Sequence, residues 1–199
     1  LQTSLPHSFI SHGSMPFIPY SSISYGSMPF DTVQTNLDDA ESVVVTSGTA
    51  TVSEASDIQD IVGYSGADSD YDISDSAAAL ISAGDDVLDV DGVDIVSVND
   101  GAVNANDGAI LASFTADVEF DVVDDANAVA AEVTGFNGAG DLDEANTVVV
   151  SGGDVDTSEA SAIQSISGYD GSASDYEITG TAQEVIGAGN SVIENDGVS

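Results

Sequence analysis

Carboxylates are the side chains numerous enough in this sequence to do chemistry, and their spacing indicates which chemistry. In SDYDIS, residues 69–74, a β-strand turns Asp70 and Asp72 to one face and Tyr71 and Ile73 to the other, because side chains alternate along a strand. SDYEIT at 174–179 repeats this with Asp175 and Glu177 around Tyr176, and VEFDV at 118–122 with Glu119 and Asp121 around Phe120. Stacked as neighbours, such strands form carboxylate ladders on a shared face, and like charges opposite one another repel. A divalent ion between them turns the repulsion into a bridge, and Ca2+ takes roughly six to eight oxygen ligands. The loops add to this pattern: DDVLDVDGVD at 85–94 and NDG at 99–101, 106–108 and 195–197 join carboxylates to a Gly that permits a tight turn. The expected calcium ligands are Asp70, Asp72, Asp91, Asp94, Asp100, Asp175, Glu177 and Asp196. None of these stretches makes a complete EF-hand loop, which needs a bidentate Glu at its end. Asp in a turn also serves the turn itself and Asp on a strand face is commonly solvated, so each assignment stands beside that plainer one.

Other chemistry is poorly supplied. Cys, Lys and Arg are absent, and the only two His, His7 and His12, lie in the first 30 residues. No G-x-S-x-G elbow, phosphate-binding loop or H-E-x-x-H occurs. Paired carboxylates run glycoside hydrolysis in some enzymes, but with 36 acids any two fall close together by chance. The expectation is a protein that is not an enzyme.

The charge balance constrains partners more tightly. A formal charge of −36 with no Lys or Arg leaves no internal ion pair to offset self-repulsion, so cations must supply the compensation. Nucleic acid is excluded as a direct partner, because nothing is present to neutralise phosphates, and anionic membrane surfaces are disfavoured for the same reason. No apolar run approaches the length of a membrane span. The absence of Cys rules out a disulfide framework. The start at Leu1 reads as a processed, secreted chain with an extracellular or cell-surface location.

The elements that must position these acids emerge from an internal repeat. Residues 37–94 align without a gap on 142–199 at an offset of 105, with 29 of 58 positions identical. LDDAESVVV matches LDEANTVVV, and SEASDIQDIVGY matches SEASAIQSISGY; a diverged, shorter copy at 95–141 lies between them. Strands are expected at VVVT 43–46, YDIS 71–74, DIVSV 94–98, VEFDV 118–122, VVVS 148–151 and YEIT 176–179. Equivalent positions Val45, Ile73, Val98, Val122, Val150 and Ile178 recur every 24–28 residues, the length of one strand plus one short helix. Helices are expected between the strands, in SEASDIQDIV, SAAALISA, GAILASF, DANAVAAEV and SEASAIQSI. Thr51 to Glu54 and Asp156 to Glu159 have capping-box spacing. Same-sheet strands joined by helical crossovers are parallel, so the fold class is α/β, a repetitive strand–helix solenoid with parallel strands. A compact α/β sheet or β-rich compact repeat domain is the alternative.

YDISDSAAAL at 71–80, FDVVDDANAV at 120–129 and VVVSGGDVDTSEASAIQ at 148–164 carry a further signal. This motif, a strand ending in Asp followed by a small-residue helix, resembles the strand–helix tandem repeats of large secreted bacterial RTX, hemolysin-like adhesins and surface-layer-type proteins. The resemblance covers residues 37–199 and implies an extracellular, repetitive, calcium-rich and non-enzymatic protein. The glycine-aspartate nonapeptide of that group, G-G-x-G-x-D, is missing.

Residues 1–36 are a different material. All four Pro and both Met, but no acid, lie in the first 30 residues, where GSMPF occurs twice. Pro disfavours helix and central strand, so this is an extended N-terminal arm. Its apolar residues Met15, Phe17, Ile18, Tyr20, Met28 and Phe30 are expected to dock on a neighbouring subunit by strand addition. After GVS at 197–199 the strand found in the first copy is missing, leaving an end to be capped. The functional expectation is a secreted structural protein that polymerises with itself into a filament or surface layer, with calcium offsetting the acids. The alternative is an adhesin module of a large calcium-dependent surface protein, presenting its repeats to surface glycans.

Overall fold

A computed structural model describes residues 41–134 and 142–199. The arm at 1–36, with Met15, Phe17, Ile18, Tyr20, Met28 and Phe30, lies outside the described residues.

The class is α/β with parallel strands in two sheets and eight α-helices among the described residues. The first sheet has the order β1 (Thr49–Ala50), β2 (Tyr71–Asp75), β3 (Val93–Val98), β4 (Val118–Glu119), all parallel. The second has the order β5 (Asp121–Asp124), β6 (Thr147–Val155), β7 (Asp175–Ile178), again parallel. Within each sheet a strand therefore pairs with its neighbours in sequence, without a strand inserted between, while β4 and β5 belong to different sheets. The helices are α1 (Val52–Gln59), α2 (Ala77–Ala83), α3 (Asp85–Leu88), α4 (Ala105–Ala112), α5 (Ala126–Thr134), α6 (Thr157–Ile163), α7 (Ala182–Ala188) and α8 (Asn190–Ile193). They pack in chain order too: α1 on α2, α2 on α4, α4 on α5, α5 on α6 and α6 on α7.

Local sequence explains most helix starts. Thr51 Oγ1 accepts the Glu54 N–H while the Glu54 carboxylate accepts the Thr51 N–H, and Asp156 with Glu159 and Thr181 with Glu184 form the same reciprocal cap. Ser76 and Asn104 cap α2 and α4 from their side chains.

Four expectations change. DDVLDVDGVD at 85–94 is not one loop, since Asp85–Leu88 form α3 and β3 begins at Val93. VEFDV is not one strand: Val118 and Glu119 pair with β3, while Asp121 onward pairs with β6, so the chain passes between sheets at Phe120. NDG at 106–108 is not a turn but part of α4, where Asn104 accepts the Asp107 N–H and buried Gly108 sits against Val122. VVVT at 43–46 forms only a bridge from Val43 to Tyr64, whereas its copy lies in nine-residue β6. The cause is a partner: β5 pairs along Thr147–Val150, and no described strand does so along 42–45.

Alternate residues of the strands point inward to a core of Val45, Ile73, Val96, Val122, Val148 and Val150, capped by Ile58, Leu80, Leu111, Val129 and Ile163 from the helices. No polar or charged residue is buried among the described residues. That follows from composition, because a buried carboxylate needs a partner charge and the chain has no Lys or Arg to provide one.

Candidate functional site

The acids are distributed along the strand edges, the outer sheet faces and the helix starts. Asp72 lies opposite Thr49 on β1, and on its other side meets a register shift at which Asp94 and Ile95 of β3 stand against it, one residue more than β2 supplies. Glu119 faces Ser97, which faces Ser74, and the two hydroxyls are 3.1 Å apart. Asp121 faces Thr147, whose hydroxyl donates to its carboxylate at 2.6 Å. An unbroken carboxylate ladder therefore does not form. Hydroxyl side chains alternate with the acids across the strands, which removes the like-charge opposition and adds a donor.

One pair departs from this rule. Glu177 lies directly opposite Asp154, after a register shift that accommodates Gly152 and Gly153. With Asp175, these acids border a surface cavity of about 330 Å³, completed by Gly152, Gly153, Tyr176 and Ser199. This is the place where the expected ligands Asp175 and Glu177 come together. Among the described residues no three His, Cys, Asp or Glu are grouped to hold a metal ion.

Asp70 is exposed, and its N–H donates to the Val45 carbonyl. Asp94 is exposed on the β3 bulge. Asp91 and Asp196 are exposed at the side chain, and each uses its backbone carbonyl to accept a tyrosine hydroxyl, from Tyr64 at 3.1 Å and Tyr169 at 2.9 Å. Asp100 holds a helix start, with its Oδ1 accepting the N–H of Ala77, the first residue of α2, at 3.1 Å.

That last contact belongs to a series the sequence did not disclose. Asp75 Oδ2 accepts the Val52 N–H at the start of α1 at 3.0 Å, and its Oδ1 accepts the Ser76 N–H at 2.8 Å. Asp124 Oδ2 accepts the Ala105 N–H at the start of α4 at 2.9 Å. An Asp at or just past the end of one strand thus satisfies the first amide of a helix that precedes that strand in the chain, where the helix dipole favours a negative charge. Acids that would otherwise only repel become links between consecutive units.

A second set of links was also missed, although identity between the copies marks it. Gln59 Nε2 donates to Tyr71 Oη at 3.0 Å and the Val87 carbonyl at 2.9 Å; Gln164 Nε2 donates to Tyr176 Oη at 2.8 Å and the Val192 carbonyl at 2.9 Å. Ser69 Oγ accepts the Val45 N–H and Ser174 Oγ the Val150 N–H. Burial pushes the phenols of Tyr71 and Tyr169 well above the usual tyrosine range. Hydrogen bonds from Ser172 lower the Asp170 carboxyl and those from Thr181 lower Glu184.

Among the described residues no helix is long and apolar enough to cross a membrane. No protein-family model, curated protein or solved structure matches the chain.

Proposed function

We propose that the described units are successive turns of a strand–helix solenoid, and that the chain is a secreted structural protein that assembles with copies of itself into an extracellular filament or surface layer. The observation that carries this reading is the sequential order. Within each of the two sheets the strands add in chain order, the helices pack in chain order across both, and hydrogen bonds around Gln59, Ser69 and Asp91 recur at Gln164, Ser174 and Asp196. Units that bury their apolar faces only against neighbours leave two ends, and ends are where copies join.

Calcium fits the reading as the cation that offsets a charge of −36, bound where acids of adjoining copies meet. Asp154, Asp175 and Glu177 border one surface cavity without being grouped to hold an ion by themselves, so its ligands would have to be completed across a contact between copies. The arm, through Met15, Phe17, Ile18, Tyr20, Met28 and Phe30, docks on an adjacent subunit, since it is the acid-free stretch of a polyanion. Sedimentation velocity on the full chain and on a chain without residues 1–30 tests the arm's part. Fast-sedimenting polymers from the full chain, with polymers lost on deletion, are expected; full-length polymers without the arm would remove docking from the account.

A further inference from the structure

Residues 42–45 have the form of a strand that is paired on one side. Their burial runs exposed, buried, half-buried, buried, as it does at 147–150 in β6. Val43 donates to the Gly63 carbonyl and accepts the Ser65 N–H, so alternation turns the N–H and carbonyl of Val44 to the opposite edge, where they have no hydrogen-bond partner among the described residues. In the second copy β5 covers that edge, with Asp121 opposite Thr147, Val122 opposite Val148, Val123 opposite Val149 and Asp124 opposite Val150.

The arm carries a sequence counterpart of β5. FDTV at 30–33 matches FDVV at 120–123 in three of four positions, and each precedes the stretch that opens its copy, LDDAESVVV at 37–45 or LDEANTVVV at 142–150. The spacing differs. Between Asp124 and Thr147 lie 22 residues, which include α5, whereas only seven, 35–41, lie between Gln34 and Ser42. Neighbouring parallel strands need a crossover of about a dozen residues or more, so this segment is too close in sequence to cover the 42–45 edge of its own chain. Charge suits the edge of another. Asp31 is the only acid before Asp38, and from Ser42 to Ser53 there is none, so no like charges are opposed.

We propose that residues 30–34 of a second copy of this chain add as a parallel strand to the 42–45 edge of the first, in the register of β5 with β6. Asp31 then lies opposite Ser42, Thr32 opposite Val43, Val33 opposite Val44 and Gln34 opposite Val45. The Ser42 hydroxyl donates to the Asp31 carboxylate as the Thr147 hydroxyl donates to Asp121. The Phe30 carbonyl accepts the Glu41 N–H as the Phe120 carbonyl accepts that of Asn146. The inference rests on the reading in which the arm docks on a neighbour, and gives that docking a segment, an edge and a register. Each copy offers one strand and one edge, so the contact repeats into an open chain of subunits unless its rotation closes.

The cysteine-free chain allows a direct test with Val33→Cys and Val44→Cys, whose counterparts Val123 and Val149 stand opposite each other on the outer face of the β5–β6 pair. Treated with a short bis-maleimide, a mixture of the two variants should give a covalent dimer that neither variant gives alone. Adding Thr32→Pro to the Val33→Cys chain should abolish that dimer while leaving its far-ultraviolet circular dichroism unchanged. The reason lies in β5: Val103 bonds the Asp121 carbonyl and the Val123 N–H, so Val122 turns its own N–H to β6, and Pro has no N–H to place there. No excess of dimer in the mixture, or a dimer indifferent to Thr32→Pro, overturns the proposal. So does a Val33→Cys, Val44→Cys double variant that cross-links only within one chain, since the arm then covers its own edge. Polymers in micrographs without the specific cross-link overturn the interface alone; a full chain that stays monomeric at every concentration overturns the self-assembly reading with it.

Discussion

Replacing Asp75 by Ala separates two opposed effects of a carboxylate in this protein. The side chain accepts the first N–H of α1 at 3.0 Å and the Ser76 N–H at 2.8 Å, tying the end of β2 to the helix of the preceding unit. A hydrogen bond to a charged group contributes about 1.5–3 kcal/mol. The Ser76 amide is local and rehydrates on truncation, so one such bond, about 2 kcal/mol, is the expected loss. For a chain of this size 1 kcal/mol moves the melting temperature by roughly 2–4 °C, so the substitution should lower it by about 4–8 °C. Asp60→Ala is the control. Asp60 is exposed at the C-terminal end of α1, where the helix dipole disfavours an anion. Its removal relieves both that interaction and self-repulsion, so the melting temperature should rise slightly. Thermal denaturation followed by circular dichroism at low salt, with chelator present, reads both. Equal shifts of the same sign would refute the reasoning, since Asp75 would then be one more repelling acid. Gly180 stands where Asp75 does, so the second copy lacks this link and its final units should protect their amides from hydrogen exchange less than α1 and β2 do.

Three further outcomes follow from the same geometry. The phenols of Tyr71 and Tyr169 are raised above their unfolded value near about 10, so their contribution is intact below that pH and is lost as pH rises through it toward the folded values. Melting temperature should fall steeply above about pH 10, and a Tyr71→Phe, Tyr169→Phe double variant should flatten that part of the profile; an unchanged profile would contradict the burial argument. Gly92→Ala should cost about 1–3 kcal/mol, because φ is +98° and a Cβ there would lie 2.6 Å from the Tyr64 hydroxyl oxygen, while Gly101→Ala, at φ +105° with open space, should cost less in the same melting experiment. Gln59→Leu should destabilise by about 1–3 kcal/mol, since it removes the donor to Tyr71 and Val87, and Gln164→Leu should do the same if the copies are energetically equivalent.

The order of strands and helices was legible in the sequence because its causes are local. Thr51 with Glu54 and Asp156 with Glu159 announce helix starts, and alternation around Tyr71 and Tyr176 announces strands. What stayed hidden depends on partners distant in sequence. NDG at 106–108 is a turn signal overridden by the Asn104 cap and by Gly108 packed on Val122. VEFDV is a uniform strand pattern, and only its two different partners, β3 and β6, divide it. The acids read as one class, yet Asp75 reaches an amide 23 residues before it, Asp124 one 19 residues before it, and Asp121 takes a hydroxyl 26 residues ahead. Equal spacing cannot distinguish a capping carboxylate from a solvated one.

Negative-stain imaging of the purified full chain, first in calcium and then after chelation, tests self-assembly with cation compensation most directly. Filaments or sheets in calcium that disperse when the ion is removed are the result this account predicts. Single particles of one subunit in both conditions would contradict it.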